Sequence, residues 1–221
     1  MSKREFVHLH THSEYSILDG ASRLNDIVKK ATEFEMPAAA ITDHGVMYGN
    51  ITFYSTAKAA GIKPILGCEV YVAPRTRHDR DSKLDRDQFH LVLLAKSEKG
   101  YKNLIKLVSI AYSEGFYFKP RVDKELLAQY SEDLIAMTAC LGGELPAYIM
   151  REPSRVEQSL ADYIDIFGKE DLYLELQDHG IPEQKPVNKT LIELARKNNL
   201  KLIATNDSHY TNKVDAEAHD V

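Results

Sequence analysis

Residues 7–20 read VHLHTHSEYSILDG, a run in which His8, His10 and His12 alternate with Leu9 and Thr11, and Asp19 follows near its end. On an extended segment, side chains two apart share a face, so all three imidazoles, or the last two, project together as the strand runs out into a loop. Neutral imidazole is the commonest protein ligand for zinc and related ions, and a carboxylate such as Asp19 adds the charge that histidines lack. A His-rich strand that is merely polar surface is the alternative. The rest of the chain decides between them.

Ligand-type residues recur where apolar runs end. Residues 38–42 run into Asp43-His44-Gly45, residues 63–72 carry Cys68 and Glu69, and residues 134–138 lead to Ala139-Cys140. Residues 172–176 end near Asp178-His179-Gly180, and residues 200–205 open into Asn206-Asp207-Ser208-His209. With residues 6–10 and the near-continuous apolar run 89–95, typical of a buried parallel strand, these make seven strands. Helices alternate with them. Leu24, Ile27, Val28, Ala31 and Phe34 fall at helical spacing, Gly61 stops a helix over 52–60, Ser97 caps another, Ser154 and Glu157 form a capping box, and 186–198 continues the pattern. This order predicts an α/β fold, a seven-stranded parallel (β/α)7 TIM-like barrel. The loops after the strands meet on one rim, which brings His10, His12 and Asp19 into reach of His44, Glu69, Cys140, Asp207 and His209. His90 fits poorly, because it precedes the apolar run of its strand and so falls on the wrong rim unless a loop returns.

Composition narrows the function. The chain has 221 residues, 43% hydrophobic and 28% charged, enough for a full core in one α/β domain, and no repeat or linker divides it. No apolar run approaches bilayer length and the start, MSKREFVHLH, has no apolar signal core, so a cytoplasmic location and no membrane partner are expected. Two cysteines make no disulfide framework and read as buried apolar residues or ligands. A net charge of −5 argues against a bulk electrostatic grip on nucleic acid, so any such contact is local. Residues 75–88, RTRHDRDSKLDRDQ, read as a solvated loop. Residues 115–121, GFYFKPR, hold three aromatics that read first as a loop tucked under its own domain and second as a base-stacking surface, with Lys119 and Arg121 as candidates for phosphate.

Six motifs in order, HLHTHSEYSILDG, AITDHG, GCEVY, FHLVLLA, TACLGGEL and TNDSHY, together resemble the polymerase and histidinol phosphatase (PHP) domain. The resemblance is greatest to the form at the N-terminus of bacterial DNA polymerase III alpha subunits, and it covers essentially the whole chain, residues 1–221. It implies a seven-stranded α/β barrel with up to three metals, held by His10, His12, Asp19, His44, Glu69, His90, Cys140, Asp207 and His209. His90 enters on the resemblance alone, and His8, where many relatives carry Asp, stays outside the set. His179 joins Lys119 and Arg121 as a candidate substrate contact. Every ligand position holds a competent donor, which implies a working site: 3′–5′ exonuclease proofreading at a DNA 3′ end, with the remainder of the polymerase and other replisome subunits as partners. The chain ends near Val221, before the family's usual closing segment, and as a fragment is not expected to polymerise DNA.

Nine donors exceed what one ion takes, so two or three divalent transition metals (zinc, manganese or iron) are expected. Such metals supply a nucleophilic water at neutral pH and stabilise the leaving oxygen, so no protein nucleophile is assigned. Two readings stand beside this one. The metals could serve only to stabilise a docking domain of the polymerase, or the chain could be a small-molecule phosphatase.

Overall fold

A computed structural model describes residues 6–219 of the chain. In order the elements are α1 (Leu24–Glu33), β1 (Ala38–Ile41), α2 (Asn50–Ala59), β2 (Lys63–Val72), β3 (Phe89–Ala95), α3 (Glu98–Ser113), β4 (Arg121–Val122) and α4 (Lys124–Tyr130). They continue with β5 (Leu134–Met137), α5 (Glu144–Arg151), α6 (Val156–Asp171), β6 (Leu172–Leu176), α7 (Gln184–Asn198), β7 (Lys201–Ala204) and α8 (Ala216–His219). Ser97 caps α3 by accepting from the Gly100 amide, as its sequence predicts, and Asp123 does the same for α4 from Leu126. The expected capping box at Ser154 does not form. A short 3-10 turn over Pro153–Arg155 leads into α6 instead.

The strands make one curled sheet in the order β1-β2-β3-β5-β6-β7, with β4 paired to β2. It is a half-barrel of mixed direction, and the expected all-parallel (β/α)7 barrel needs correction on two points. First, β3 runs antiparallel to both β2 and β5. A parallel return needs a crossover, usually a helix, but the β2–β3 connection is the charged stretch 75–88, so the chain doubles back. The apolar run in β3 reported burial, not direction. Second, residues 6–10 form no ladder strand. Residues 8–12 lie between the sheet edges: the amides of Ala40 and Thr42 donate to the carbonyls of His8 and Thr11, while His12 and Ser208 exchange bonds with Ser208 and His10. A single bridge, Thr11 to Ser208, marks this seam.

Alternation along each strand sorts its side chains into two cores. On β3, Leu91 and Leu93 join the large outer core beneath α3 to α7, whereas Val92 and Leu94 face inward with Met137 and Ala139. A smaller cluster of Leu24, Val28, Ile41 and Phe53 packs α1 and α2 onto β1. The inner apolar group fills the floor of the curl, so polar inward residues are left only at its rim.

The charged loop is ordered around one residue. Arg121 is fully buried, and its guanidinium donates to the carbonyls of Gly115 (3.0 Å), Asp85 (3.3 Å), Arg77 (3.2 Å) and Asp79 (2.8 Å). Arg75 pairs with the buried Asp85, and Arg77 with Asp123. Polar contacts thus replace the apolar core this stretch cannot build. Gly115 lies so close that a Cβ there would sit 1.9 Å from the Arg121 carbonyl oxygen. We expect Arg121→Ala to destabilise the fold by about 3 kcal/mol, because several carbonyls lose their donor at once. Denaturant unfolding reads this directly; a loss under about 0.5 kcal/mol, the range of ordinary surface substitutions, would mean the loops hold without it.

Candidate metal centre

The pleat decides which residues reach the rim. On β2, Cys68, Val70 and Val72 point to the outer core, so Glu69 and Tyr71 point into the curl. Cys68 is therefore away from the site, its thiol donating to the Asp43 carbonyl at 3.3 Å. The reversed direction of β3 resolves the placement of His90. Tyr71 pairs with His90 across the antiparallel ladder, so the start of β3 lies at the same rim as the end of β2. No returning loop is needed.

Glu69 is the meeting point. Its Oε2 lies 2.9 Å from His44 Nδ1, 3.1 Å from His12 Nε2 and 3.3 Å from His10 Nε2, and its Oε1 lies 2.9 Å from His90 Nδ1. Asp207 Oδ1 is 3.1 Å from both His10 Nε2 and His12 Nε2, and Asp19 Oδ2 is 3.3 Å from His44 Nε2. His12 is sandwiched between the rings of His44 and His209, at 4.1 and 4.2 Å. Asp207 adopts a left-handed backbone, φ +47°, a conformation that aspartate tolerates better than most non-glycine residues.

These atoms behave as metal donors would. His10 Nε2, His12 Nε2, His44 Nδ1, Glu69 Oε2 and Asp207 Oδ1 are all buried and find no partner in hydrogen-bond geometry, despite crowding together. Buried polar atoms ordinarily have partners. Donors about 2.0–2.1 Å from a tetrahedral ion lie about 3.3 Å apart, close to the spacing seen. Three sets each bring their donor atoms within 4.8 Å of one another: His12, His44 and His209; His10, His12, Glu69 and Asp207; and His44, Glu69 and His90. Cys140 stands beside them, its Sγ 3.9 Å from His90 Nδ1. Asp19 meets the group at His44 and also feels the charges of His209 and His12.

The substrate candidates fare differently. Lys119 is half-buried beside the rim, with its Nζ over the Tyr71 ring at 5.3 Å. Arg121 does not meet phosphate, because its guanidinium is spent on buried carbonyls; sequence reveals a charge but not its depth. His179 is exposed, engaged with Gln184 through its amide (2.7 Å) and its ring (3.2 Å), and belongs to none of the donor sets.

Sequence reasoning missed the residues that aim the histidines. Glu175, buried on β6, takes His10 Nδ1 at 2.7 Å, and it also accepts from the Ala139 amide and the Thr205 hydroxyl. Fixing one ring nitrogen turns the other toward a metal. Ser16 does this for His12, with its Oγ 3.0 Å from Nδ1, and Asp43 accepts from the hydroxyls of Ser13 and Ser16. The signal was a lone acid in the apolar run LYLEL and an Asp directly before His44.

The carboxylates hold positive charge at the rim. Burial works against His44 carrying a proton, yet Asp19 and Glu69 beside it push its pKa up to about 10. Burial likewise opposes a charged His10, but Glu175, Glu69 and Asp207 raise it well above its ordinary value. Asp207 would be raised by burial, but His10 and His12 bring it down to about 2. Burial, then Glu69 and Asp207, push the Cys140 thiol up, so a nearby cation is what would let it ionise.

The sequence profile of the PHP domain family matches residues 8–179. Relatives called DNA polymerase III subunit alpha are 50% identical over 229 residues in Aquifex aeolicus and 49% over 225 residues in Thermus aquaticus. Each match covers 100% of this chain, but 20% and 18% of the relative, so the chain spans about a fifth of their length. Among solved structures, one described as a metal-dependent phosphoesterase from Bifidobacterium adolescentis aligns with TM-score 0.58 at 14% identity, over 94% of this chain and 88% of that one. An amidohydrolase from Chromobacterium violaceum, solved with bound sulfate and no metal, aligns at 0.60 and 15% identity with the same coverage. At such identity the likeness is one of fold.

Two outcomes follow from the rim. In metal-free protein, His44 contributes stability that is fully present below pH 6.5 and is lost as pH rises toward about 10, because its folded pKa is the higher one. We expect the melting temperature of chelated protein to fall across that window and added zinc or manganese to flatten the fall; identical profiles would show that no ion replaces the proton. We also expect His12→Ala to lower the metal content found by elemental analysis, since His12 belongs to two of the three donor sets.

Proposed function

The chain belongs to the PHP domain family, and we propose that its rim binds two or three divalent transition metals and hydrolyses phosphodiester bonds, acting as a 3′–5′ exonuclease within a DNA polymerase III alpha subunit. One observation carries this reading: five buried polar atoms from four separate segments converge without hydrogen-bond partners. The proposed ligands are His10, His12, Asp19, His44, Glu69, His90, Cys140, Asp207 and His209. Zinc, manganese and iron all suit such a mixture of imidazole, carboxylate and thiol. When bound, they supply polarisation of the phosphoryl oxygens and a nucleophilic water active at neutral pH.

The protein's own residues do the rest. Glu175 and Ser16 fix the rings of His10 and His12, so the donors need no rearrangement when substrate arrives. Glu69 and Asp207 remain ionised and offset the cations. Lys119, at the mouth, holds the DNA backbone as a local cation in an acidic chain. The Cys140 thiol, held protonated by its surroundings until a cation reaches it, would then serve as a ligand and not as a nucleophile. The identity of the long relatives supports a DNA end as substrate and the remainder of the polymerase as partner.

The test compares full-length protein with and without Asp19→Asn plus His44→Ala on a mismatched 3′ end, with manganese or zinc present and any separate proofreading subunit excluded. We expect the double variant to lose at least about 100-fold in rate, as when a supporting or coordinating group of a metal site is removed. Equal degradation by the two proteins would place the activity elsewhere, and none by either would favour a structural role for the metals.

A further inference from the structure

Beside the rim, on the side of His44 and Asp19, lies a cavity of about 210 Å³. Its lips are apolar and held out in solvent. One comes from the first loop, with Ile17 and Leu18 exposed by 80% and 82%; the other comes from residues 115–121, with Phe116 and Phe118 exposed by 50% and 65%. Large apolar side chains gathered around a polar mouth mark a surface that meets something. The cavity is smaller than the roughly 300–1,000 Å³ of pockets that enclose a whole ligand, so it suits one ring system with the remainder left outside.

The aromatic lip is built and fixed. Phe118 has φ +59°, a left-handed conformation that a bulky residue adopts only where its surroundings impose it. Tyr117 and Lys119 bridge across it, Tyr117 packs under the Arg121 guanidinium at 5.2 Å, and Arg121 ties the hairpin's base to Gly115. The hairpin is also joined to the metal rim. Gly45, at φ +64°, admits Pro120 and Tyr71 so closely that a Cβ would lie 3.0 and 3.1 Å from their ring atoms. Tyr71 in turn stacks on His44 at 5.8 Å and 17° and carries the Lys119 ammonium over its face.

We propose that these lips form a base-binding subsite that takes the unpaired terminal nucleotide of single-stranded DNA: the base enters between Ile17 or Leu18 and the rings of Phe116 and Phe118, Lys119 meets its phosphate, and the adjoining phosphodiester lies at the rim. This rests on the phosphodiester reading above and adds what selects the substrate. A phosphate ester without a base gains nothing from the lips, and a paired end must fray first. The Lys119 ammonium set beside the aromatic lip matches the phosphate and base of a nucleotide, whereas a wholly apolar protein segment would leave that charge unmatched.

The experiment uses full-length protein and two trinucleotides, too short for a primer–template path, one intact and one abasic at its 3′ nucleotide. The wild type is expected to favour the intact molecule in KM by about 5- to 150-fold, the range of base–aromatic stacking. Phe116→Ala with Phe118→Ala should abolish that preference, and Phe116→Leu with Phe118→Leu, which keeps bulk but not the rings, should reduce it. A second readout needs no hydrolysis: 2-aminopurine at the 3′ end is quenched on binding metal-free wild type and not the alanine pair. Quenching that depends on the phenylalanines without cleavage of either trinucleotide would sink the exonuclease reading and keep the subsite. Cleavage with equal KM for both trinucleotides and no quenching would overturn the subsite alone, and so would an alanine pair whose only defect is weaker binding of another protein.

Discussion

A carboxylate buried as fully as Glu69 is costly unless positive charge or hydrogen-bond donors reach it from several directions, and four imidazoles do so within 3.3 Å. No single stretch of chain could supply them. His10 and His12 come from the segment at the seam of the sheet, His44 from the loop after β1, and His90 from the start of a strand that runs the other way. Curling of the sheet is what brings the four together, so the demands of one side chain and the shape of the sheet are the same requirement. Asp207 and Glu175 add charge around the same rings, and the rim becomes a set of donors with more negative than positive partners unless protons or cations enter.

Much of this was legible in the chain. Donor types that repeatedly follow apolar runs expose a common rim, because strand ends are where a sheet protein can afford polar side chains. The direction of β3 was harder to see. Its apolar run is the same whichever way it points, and the evidence lay in what precedes it: residues 75–88 hold no amphipathic helix, so no crossover was available. Glu175 escaped notice because an acid within a strand reads as alternation until the neighbouring strand places His10 Nδ1 against it. Arg121 was misjudged since a positive charge beside aromatics has the same sequence signature whether it faces a phosphate or a ring of carbonyls.

Arg121 and Glu69 make an instructive pair. Both are wholly buried charges, yet one gathers side chains whose remaining donor atoms are left open, and the other gathers backbone carbonyls that close two loops completely. The first arrangement leaves capacity for an ion; the second leaves none. The contrast separates a rim of open donors from the scaffold beside it more clearly than burial or charge would alone.

The seam at residues 8–12 also has a consequence in time. His10 and His12 are synthesised near the start of this stretch, but their backbone partner Ser208 and the donors Asp207 and His209 emerge only after every strand has been made. At translation rates of about 5–20 residues per second, the early histidines wait for tens of seconds on the ribosome. During that interval a His-x-His pair can hold an ion only weakly, without Glu69 and Asp207 fixed against it. A metal taken by this rim would therefore be held tightly only after the last strand docks, and which ion it is would depend on what the surroundings offer then.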